Sequence, residues 1–435
     1  MRGLRLFGGS VSVLSIHPRL NLRCVRLDLM DLLSSRPFWP IRDGLPAAFP
    51  PLTANATCEV AIIGGGISGA LMAATLTEAG LDVLLLDRRE VAHGSTAGNT
   101  GLMLYELDEP LHRLARRIGR GPAERVFVRC CAAIDVADRL ARRARINGGF
   151  TRSSSLQVAA TSAHVPRLRR EFEARRGAGL DVAWWPRAKI AAESSLPHAA
   201  AILSGGAAQL DAYRFTYGLL IHAQRQGARI HDRTAVLRWK FQPRGVKLVT
   251  SRGTHVTARS LVVAAGYESE RFLPEKVGSL HSTFALISEP IANRDFNGWP
   301  ADRCLIWDTA DPYLYLRTTS DGRAIIGGYD EPFRDPRMRD RLLAAKVVRL
   351  KRRFRRLFPH IPLEVATAWA GTFGVTADGL PFIGRHPGVP HTWFALGFGG
   401  NGTTFSVIAA EIIREALLGR ADPDAKLFGF ERRGR

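Results

Sequence analysis

Apolar residues along the chain gather into short runs bounded by glycine turns, and between these lie longer stretches in which they recur every three or four positions. The first run, Glu59-Val60-Ala61-Ile62-Ile63, predicts a buried parallel strand. Gly64-Gly65-Gly66-Ile67-Ser68-Gly69 follows. Helix formers from Ala70 to Ala79 then stop at Gly80, a residue suited to the position after a helix. Asp82 to Asp87 predicts a second strand, which completes a βαβ unit of about 30 residues.

Beyond this unit the pattern predicts helix over Leu111–Asn147, Val165–Arg176 and Tyr213–Gln226, the last ended by Gly227. Strands are expected at Ser155–Ala160, Ala201–Gln209, Arg229-Ile230, Val246–Thr250 and Leu261–Gly266, and a short one closing at Trp184-Trp185-Pro186. From Phe284 to Gly328 strand signals dominate, at Phe284–Ser288, Leu305–Trp307, Tyr313–Arg317 and Ala324–Gly327. Arg341–Phe358 reads as an amphipathic helix. Its apolar stripe is Leu343, Val347, Leu350, Phe354 and Leu357, and the opposite face carries Lys346, Arg349, Arg352, Arg353 and Arg356. Phe394–Leu396 predicts a strand that runs through a glycine-rich turn into a helix over Phe405–Leu418. Phe38–Pro51, with four prolines, reads as an extended arm.

Composition narrows the class. A chain of 435 residues with 46% hydrophobic and 23% charged residues is neither disordered nor fibrous, and its length suits two or three packed units. Five cysteines without CxxC or histidine spacing exclude a disulfide scaffold and a structural zinc site, so no metal is expected. They fit a reducing compartment, and the expected location is cytoplasmic. The formal charge of +21 comes from 61 Lys and Arg, of which only seven are lysine, against 40 acids. That balance suits either an anionic partner or an arginine-biased surface, and the latter is preferred. No stretch predicts a membrane span, although peripheral contact remains open. Met1–Leu29, with five arginines, reads either as a transit peptide or as residues upstream of a true start at Met30. The second is preferred, and the segment is expected to be poorly ordered.

The chemistry concentrates at glycines. In Gly64-x-Gly66-x-x-Gly69 the first glycine permits the tight turn, the second lets a pyrophosphate approach the backbone, and the third lets helix and strand pack closely. The free N–H groups of the helix then face phosphate. Asp87, 23 residues beyond Gly64, ends the second strand where a carboxylate accepts from an adenosine ribose. The motif alone does not separate NAD from FAD. Two further loops favour FAD: Gly94–Gly101, whose small side chains let a flat ring lie on main-chain N–H groups, and Gly397–Gly402, which opens a helix whose amides can stabilise negative charge on that ring.

With these motifs in this order, the chain resembles the D-amino-acid oxidase-like FAD-dependent oxidoreductases, which include glycine oxidase, sarcosine oxidase and gamma-glutamylputrescine oxidase. The resemblance runs from about Val60 to Leu418 and rests on "VAIIGGGISGALMAATLTEAGLDVLLLDRR", "GSTAGNTG", "LVVAAG", "RTTSDGRAIIGG", "DGLPFIGRHP" and "ALGFGGNGTTFSVIAAEII". It implies an α/β fold of the GR2 flavoprotein type: a Rossmann-like FAD-binding domain with an interleaved α+β substrate domain on a mainly antiparallel sheet. The expected division is an extension and arm at 1–55; FAD-binding segments at 56–150, 200–270 and 365–420; substrate segments at 151–199 and 271–364; and a tail at 421–435. The implied FAD contacts are Gly64, Gly66, Ile67, Ser68, Gly69, Asp87 and Arg88, then Ser95, Thr96, Asn99, Thr100, Gly101 and Leu102, then Val236, Gly266, Gly399, Gly400, Asn401, Gly402 and Thr403.

Departures from the family pattern bear on the substrate. Where glycine oxidase-like members carry an arginine that clamps the substrate carboxylate, this chain has Phe373. Gly400 and Thr404 stand where a second basic residue often lies. No cysteine lies near Phe373, so FAD is expected to be noncovalent. Arg317 and Arg323 are candidate carboxylate partners by neighbourhood, although solvated strand ends explain both. His281 and His93 are weak acid–base candidates, and Trp307, Tyr313, Tyr315 and Tyr329 candidate cage residues. The expected activity is oxidation of a C–N bond in a small amine or amino-acid derivative to an imine, with oxygen or another acceptor reoxidising the flavin. The alternatives are a tRNA-base-modifying flavoenzyme, which no RNA motif supports, and a membrane-peripheral dehydrogenase feeding quinone through the basic helix.

Overall fold

The computed structural model describes residues 22–24 and 33–434. Among these, nine strands form one sheet and ten a second. Ala56–Ile63 lies inside the first sheet, parallel to Val83–Leu86 on one side and to His255–Val263 on the other. Arg229–His231 extends the sheet beyond Val83–Leu86. His255–Val263 changes partner along its length. Its first half pairs antiparallel with Gly245–Thr250, and its second half pairs parallel with Thr392–Leu396. Near-continuous apolar sequence is required here because both faces are covered. Val60, Ile62, Val83 and Leu85 share a core with the helices Ile67–Glu78, Ala212–Arg225 and Gly402–Leu417, whereas Ala61, Ile63, Leu84 and Leu86 pack with Trp239, Leu248 and Phe394.

The second sheet runs Leu33–Ser34, Val365–Val375, Ser279–Ser288, Ala324–Pro332, Leu314–Thr318, Leu305–Asp308, Phe150–Val158, Ala200–Leu210 and Leu102–Met103, with Val182–Pro186 also on Ala200–Leu210. Every pairing in it is antiparallel except that between Leu305–Asp308 and Phe150–Val158. The mixed α/β architecture expected from the sequence is present. The expected division is not followed by the short strand Leu102–Met103, nor by two long strands, Ala200–Leu210 and Val365–Val375, which belong to the second sheet rather than with the cofactor-binding segments. Both are apolar runs, and a buried run does not reveal which of two sheets will cover it.

Helix Pro336–Leu357 covers the second sheet, with Leu350, Phe354 and Leu357 in one core with Phe284, Leu286 and Ile326. The apolar stripe is therefore occupied by protein and is not free for lipid. Lys346, expected on the solvated face, is buried and donates to Tyr329 O at 2.5 Å and to Glu331 Oε1 at 2.6 Å. The arm also departs from expectation. Phe38–Asp43 is a short helix that buries Phe38 and Trp39, and Leu33–Ser34 pairs with Val365–Val375. Within the segment expected to be poorly ordered, Leu22–Cys24 pairs with Val236–Gln242 at the edge of the first sheet; the remainder lies outside the described residues. No helix among the described residues is long and apolar enough to cross a membrane.

Candidate active site

A cavity of about 320 Å³ opens where the two sheets meet. One end is built on the first sheet. Gly64 has φ +110°, and a Cβ there would lie 2.5 Å from Ala264 O; a Cβ on Gly69 would lie 1.7 Å from Gly64 O. The turn and the helix–strand contact thus both demand glycine. Gly66 is the N-cap of Ile67–Glu78, and the Thr96 hydroxyl accepts from Ile67 N at 2.9 Å. Asp87 accepts from Gly65 N at 2.6 Å and from Arg89 N at 2.7 Å. Burial pushes its pKa up to about 6 against these two donors. Arg88 and Arg89 both donate to Glu268, at 2.5 and 3.1 Å, which leaves Arg88 Nε buried without a partner. Glu268 and Arg271, both lining the cavity, escaped the sequence reading because no motif marks the short helix Gly266–Phe272 that carries them.

The middle of the cavity is floored by the loop 94–102, whose carbonyls are held from three directions. Trp369 Nε1 donates to Gly98 O at 2.8 Å and Trp39 Nε1 to Asn99 O at 2.7 Å. Arg317 Nη1 donates to Gly101 O and Leu210 O, each at 2.8 Å, and to Thr100 O at 3.2 Å. Opposite, Asn401 Nδ2 donates to Glu106 O at 2.8 Å, and Thr404 Oγ1 to Leu104 O at 2.7 Å. The loop 397–402 and the start of its helix are thereby fixed to residues 104–106, which follow the first loop.

Of the residues singled out from sequence, Gly64, Gly66, Ile67, Ser68, Asp87, Arg88, Ser95, Thr96, Asn99, Thr100, Leu102, Val236, Gly266, Gly399, Gly400, Asn401, Gly402 and Phe373 line this cavity. Gly69, Gly101 and Thr403 lie behind it, Gly101 because a Cβ would sit 1.9 Å from Leu210 O. Arg317 is a correction: it is buried, its donors are taken by backbone carbonyls, and it does not line the cavity. Arg323 likewise bonds Ser288 O and Asp321, outside the cavity. His281 lies against Phe373 in a tilted pair with ring centroids 5.8 Å apart, and His93 contacts Val91 O and the Tyr213 ring; neither lines the cavity. Thr404, likewise, turns to Leu104.

The far end is walled by the second sheet through Phe373, Thr283, Trp307, Tyr313, Tyr315 and Asp330, with Asp108 rising from the other side. Asp108 accepts from Gly400 N at 2.8 Å and from the Tyr313 hydroxyl. Burial, reinforced by the Asp108 charge, raises the Asp330 pKa to about 7, although the Thr283 hydroxyl and Lys346 oppose this. Asp330 Oδ1 and Trp307 Nε1 are buried without partners. Sequence reading missed both aspartates. Their common context, Asp-Glu-Pro at 108–110 and 330–332, carries no chemistry of its own.

A dinucleotide fold whose phosphate turn, ring loop and second helix N-terminus open on one cavity defines a flavoprotein oxidoreductase. Residues 59–416 match the family model for FAD dependent oxidoreductases, DAO, and the chain belongs to that family. It is similar to gamma-glutamylputrescine oxidoreductase of Escherichia coli, 24% identical over 86% of this chain and 87% of that one, and to glycine oxidase of Geobacillus kaustophilus, 26% identical over 82% and 92%. The solved glycine oxidase from Geobacillus kaustophilus superposes with a TM-score of 0.71 at 21% identity, covering 85% of this chain and 96% of that one. L-proline dehydrogenase from P. horikoshii gives 0.72 at 20%, covering 87% and 99%. The protein is an FAD-dependent oxidoreductase, and the cavity fits that cofactor. A Cβ would invade the turn at Gly64, the amides of Gly66–Ser68 open the helix, and the buried Arg88 Nε awaits an acceptor. No histidine or cysteine lines the cavity among the described residues.

Proposed function

We propose that the protein oxidises the CH–NH unit of a small amine that is not held by a carboxylate clamp. Bound FAD supplies a two-electron acceptor. The substrate loses a hydride from carbon and a proton from nitrogen, and the imine formed is hydrolysed to a carbonyl compound and an amine. Gly64, Gly66, Ile67 and Ser68 would hold the pyrophosphate, Asp87 the adenosine ribose, and the loops 94–102 and 397–402 the ring. Thr283, Tyr315 and Phe373 orient the substrate and exclude water. The named substrates of the relatives, amino acids and amines, support this chemistry.

The observation that carries the reading is Phe373 in the wall of a substrate end where no cationic side chain stands among the described residues. Arg88, Arg89 and Arg271, the basic residues of the lining, cluster with Glu268 at the opposite end. A carboxylate set against a phenyl ring loses hydration and gains no partner, at a cost of several kcal/mol. The buried unpaired thiols Cys58, Cys130 and Cys304 support a cytoplasmic setting, with oxygen or another small acceptor closing the cycle. The test is anaerobic bleaching of the flavin by glycine, D-alanine, sarcosine and N-alkyl amines. The amines should bleach the parent fastest, and Phe373→Arg should gain turnover of amino acids while losing that of amines. Fastest reduction of the parent by glycine or D-alanine would overturn the reading.

A further inference from the structure

Electrostatics at the substrate end has a sign. Two aspartates face this part of the cavity, Asp108 and Asp330, and no arginine, lysine or histidine does among the described residues. A third lining acid, Glu106, differs in having a cation beside it: its Oε1 accepts from Ser155 with Arg175 Nη1 3.8 Å away, although its Oε2 is buried without a partner. Lys346 is the cation nearest to Asp330 in effect, but its ammonium is bonded to Tyr329 O and Glu331 and does not reach the cavity. Asp108 receives only neutral donors, Gly400 N–H and the Tyr313 hydroxyl. Asp330 has one neutral donor, the Thr283 hydroxyl, and its Oδ1 is buried without a partner. A buried carboxylate oxygen without a partner is costly unless the group is neutral or a ligand supplies the charge. Around it stand the rings of Tyr313, Tyr315 and Trp307, with Trp307 to Tyr313 at 5.9 Å and Tyr313 to Tyr315 at 6.0 Å. Aromatic faces beside carboxylates recognise an alkylammonium.

We propose that the substrate carries a second cationic group besides the nitrogen whose bond to carbon is oxidised, and that Asp330, with Asp108 beside it, binds that group. The substrate class is then a diamine or an aminoalkyl cation, not a zwitterionic amino acid. This rests on the amine-oxidation reading above. Asp330 selects the substrate through direct contact, and the aromatic rings cover the methylene chain between the two nitrogens. A monoamine satisfies the oxidation site but leaves Asp330 Oδ1 as it is, and an ω-amino acid brings a carboxylate against two others.

The experiment uses the FAD-loaded protein and three probe series matched in length: n-alkylamines, α,ω-diaminoalkanes of three to five carbons, and ω-aminoalkanoates. Two quantities are read, anaerobic flavin bleaching and the affinity of non-oxidisable bis(trimethylammonium) alkanes from their shift of the melting temperature. The expected result is a preference of at least about tenfold for the dication over the matched monocation in both readouts, diamine against n-alkylamine in bleaching and bis(trimethylammonium) alkane against alkyltrimethylammonium in affinity, consistent with an ion pair reinforced by cation–π contact. Asp330→Asn should abolish the preference while retaining FAD, and Asp330→Glu should keep part of it. Asp108→Asn, which leaves the Gly400 contact an acceptor, should reduce it less. Equal handling of monoamine and diamine by the parent, or a preference unchanged in Asp330→Asn that still holds FAD, overturns the proposal and leaves amine oxidation standing. Tight binding of the bis-cation lost in Asp330→Asn, with no bleaching by any amine, would sustain the cation site and overturn the oxidation reading instead.

Discussion

Arg317 shows how one side chain can look like a substrate ligand and serve the backbone. Its guanidinium meets three carbonyls, those of Thr100, Gly101 and Leu210, and burial lowers its pKa to about 10, an effect that Asp211 partly offsets. Arg317→Gln strands at least two of these acceptors, and each buried polar group left alone costs about 1–3 kcal/mol. The variant should melt several degrees lower and lose FAD more readily, with the KM for amines unchanged in the loaded fraction. A raised KM for carboxylate-bearing substrates at unaltered melting temperature would make Arg317 a substrate ligand after all. The residues legible in the sequence, Gly64, Gly66 and Asp87, are those whose task is set by near neighbours: a turn, a cap, a strand end. Asp330 was not legible, because what makes it unusual is the company of Thr283, Asp108 and the Tyr313 ring, which arrive from three other segments.

Among elements, the loop 94–102 is the least regular and the most constrained. Gly101 combines φ +77° with a Cβ position 1.9 Å from Leu210 O, so Gly101→Ala must both strain the backbone and displace a strand. It should destabilise the protein by more than about 2 kcal/mol and empty the FAD site. Gly80 is the control: its φ is +84° but nothing lies within 4 Å, so Gly80→Ala should cost about 1 kcal/mol and leave flavin content intact. Denaturation curves with flavin fluorescence separate the two, and equal flavin retention would show that the loop is adaptable. Strand and helix types were readable from periodicity throughout the βαβ unit. Assignment to a sheet was not, since Val365–Val375 earns its place by pairing with Ser279–Ser288 and Leu33–Ser34, partners about 80 and 330 residues away.

At the scale of the molecule the arm is part of the site. Trp39 bonds Asn99 O, a Cβ on Gly98 would meet Leu33 at 2.6 Å, and Arg42 pairs with Asp43 at 2.7 Å and with Asp211. A chain lacking residues 1–29 should retain FAD, since the pairing lost among the described residues is the short edge strand Leu22–Cys24. Removal of residues 1–44 should abolish FAD retention, as read from the absorbance ratio after gel filtration. Full flavin content in the shorter chain would show that Trp369 and Arg317 suffice.

The partner change along His255–Val263 has a bearing on biosynthesis. The first wall of the cofactor cavity leaves the ribosome with residue 63, but the strand Thr392–Leu396 and the loop that completes the cavity emerge more than 300 residues later. A nascent or truncated chain therefore has no enclosed place for a flavin. Enclosure of the cofactor requires that synthesis has run past Gly402.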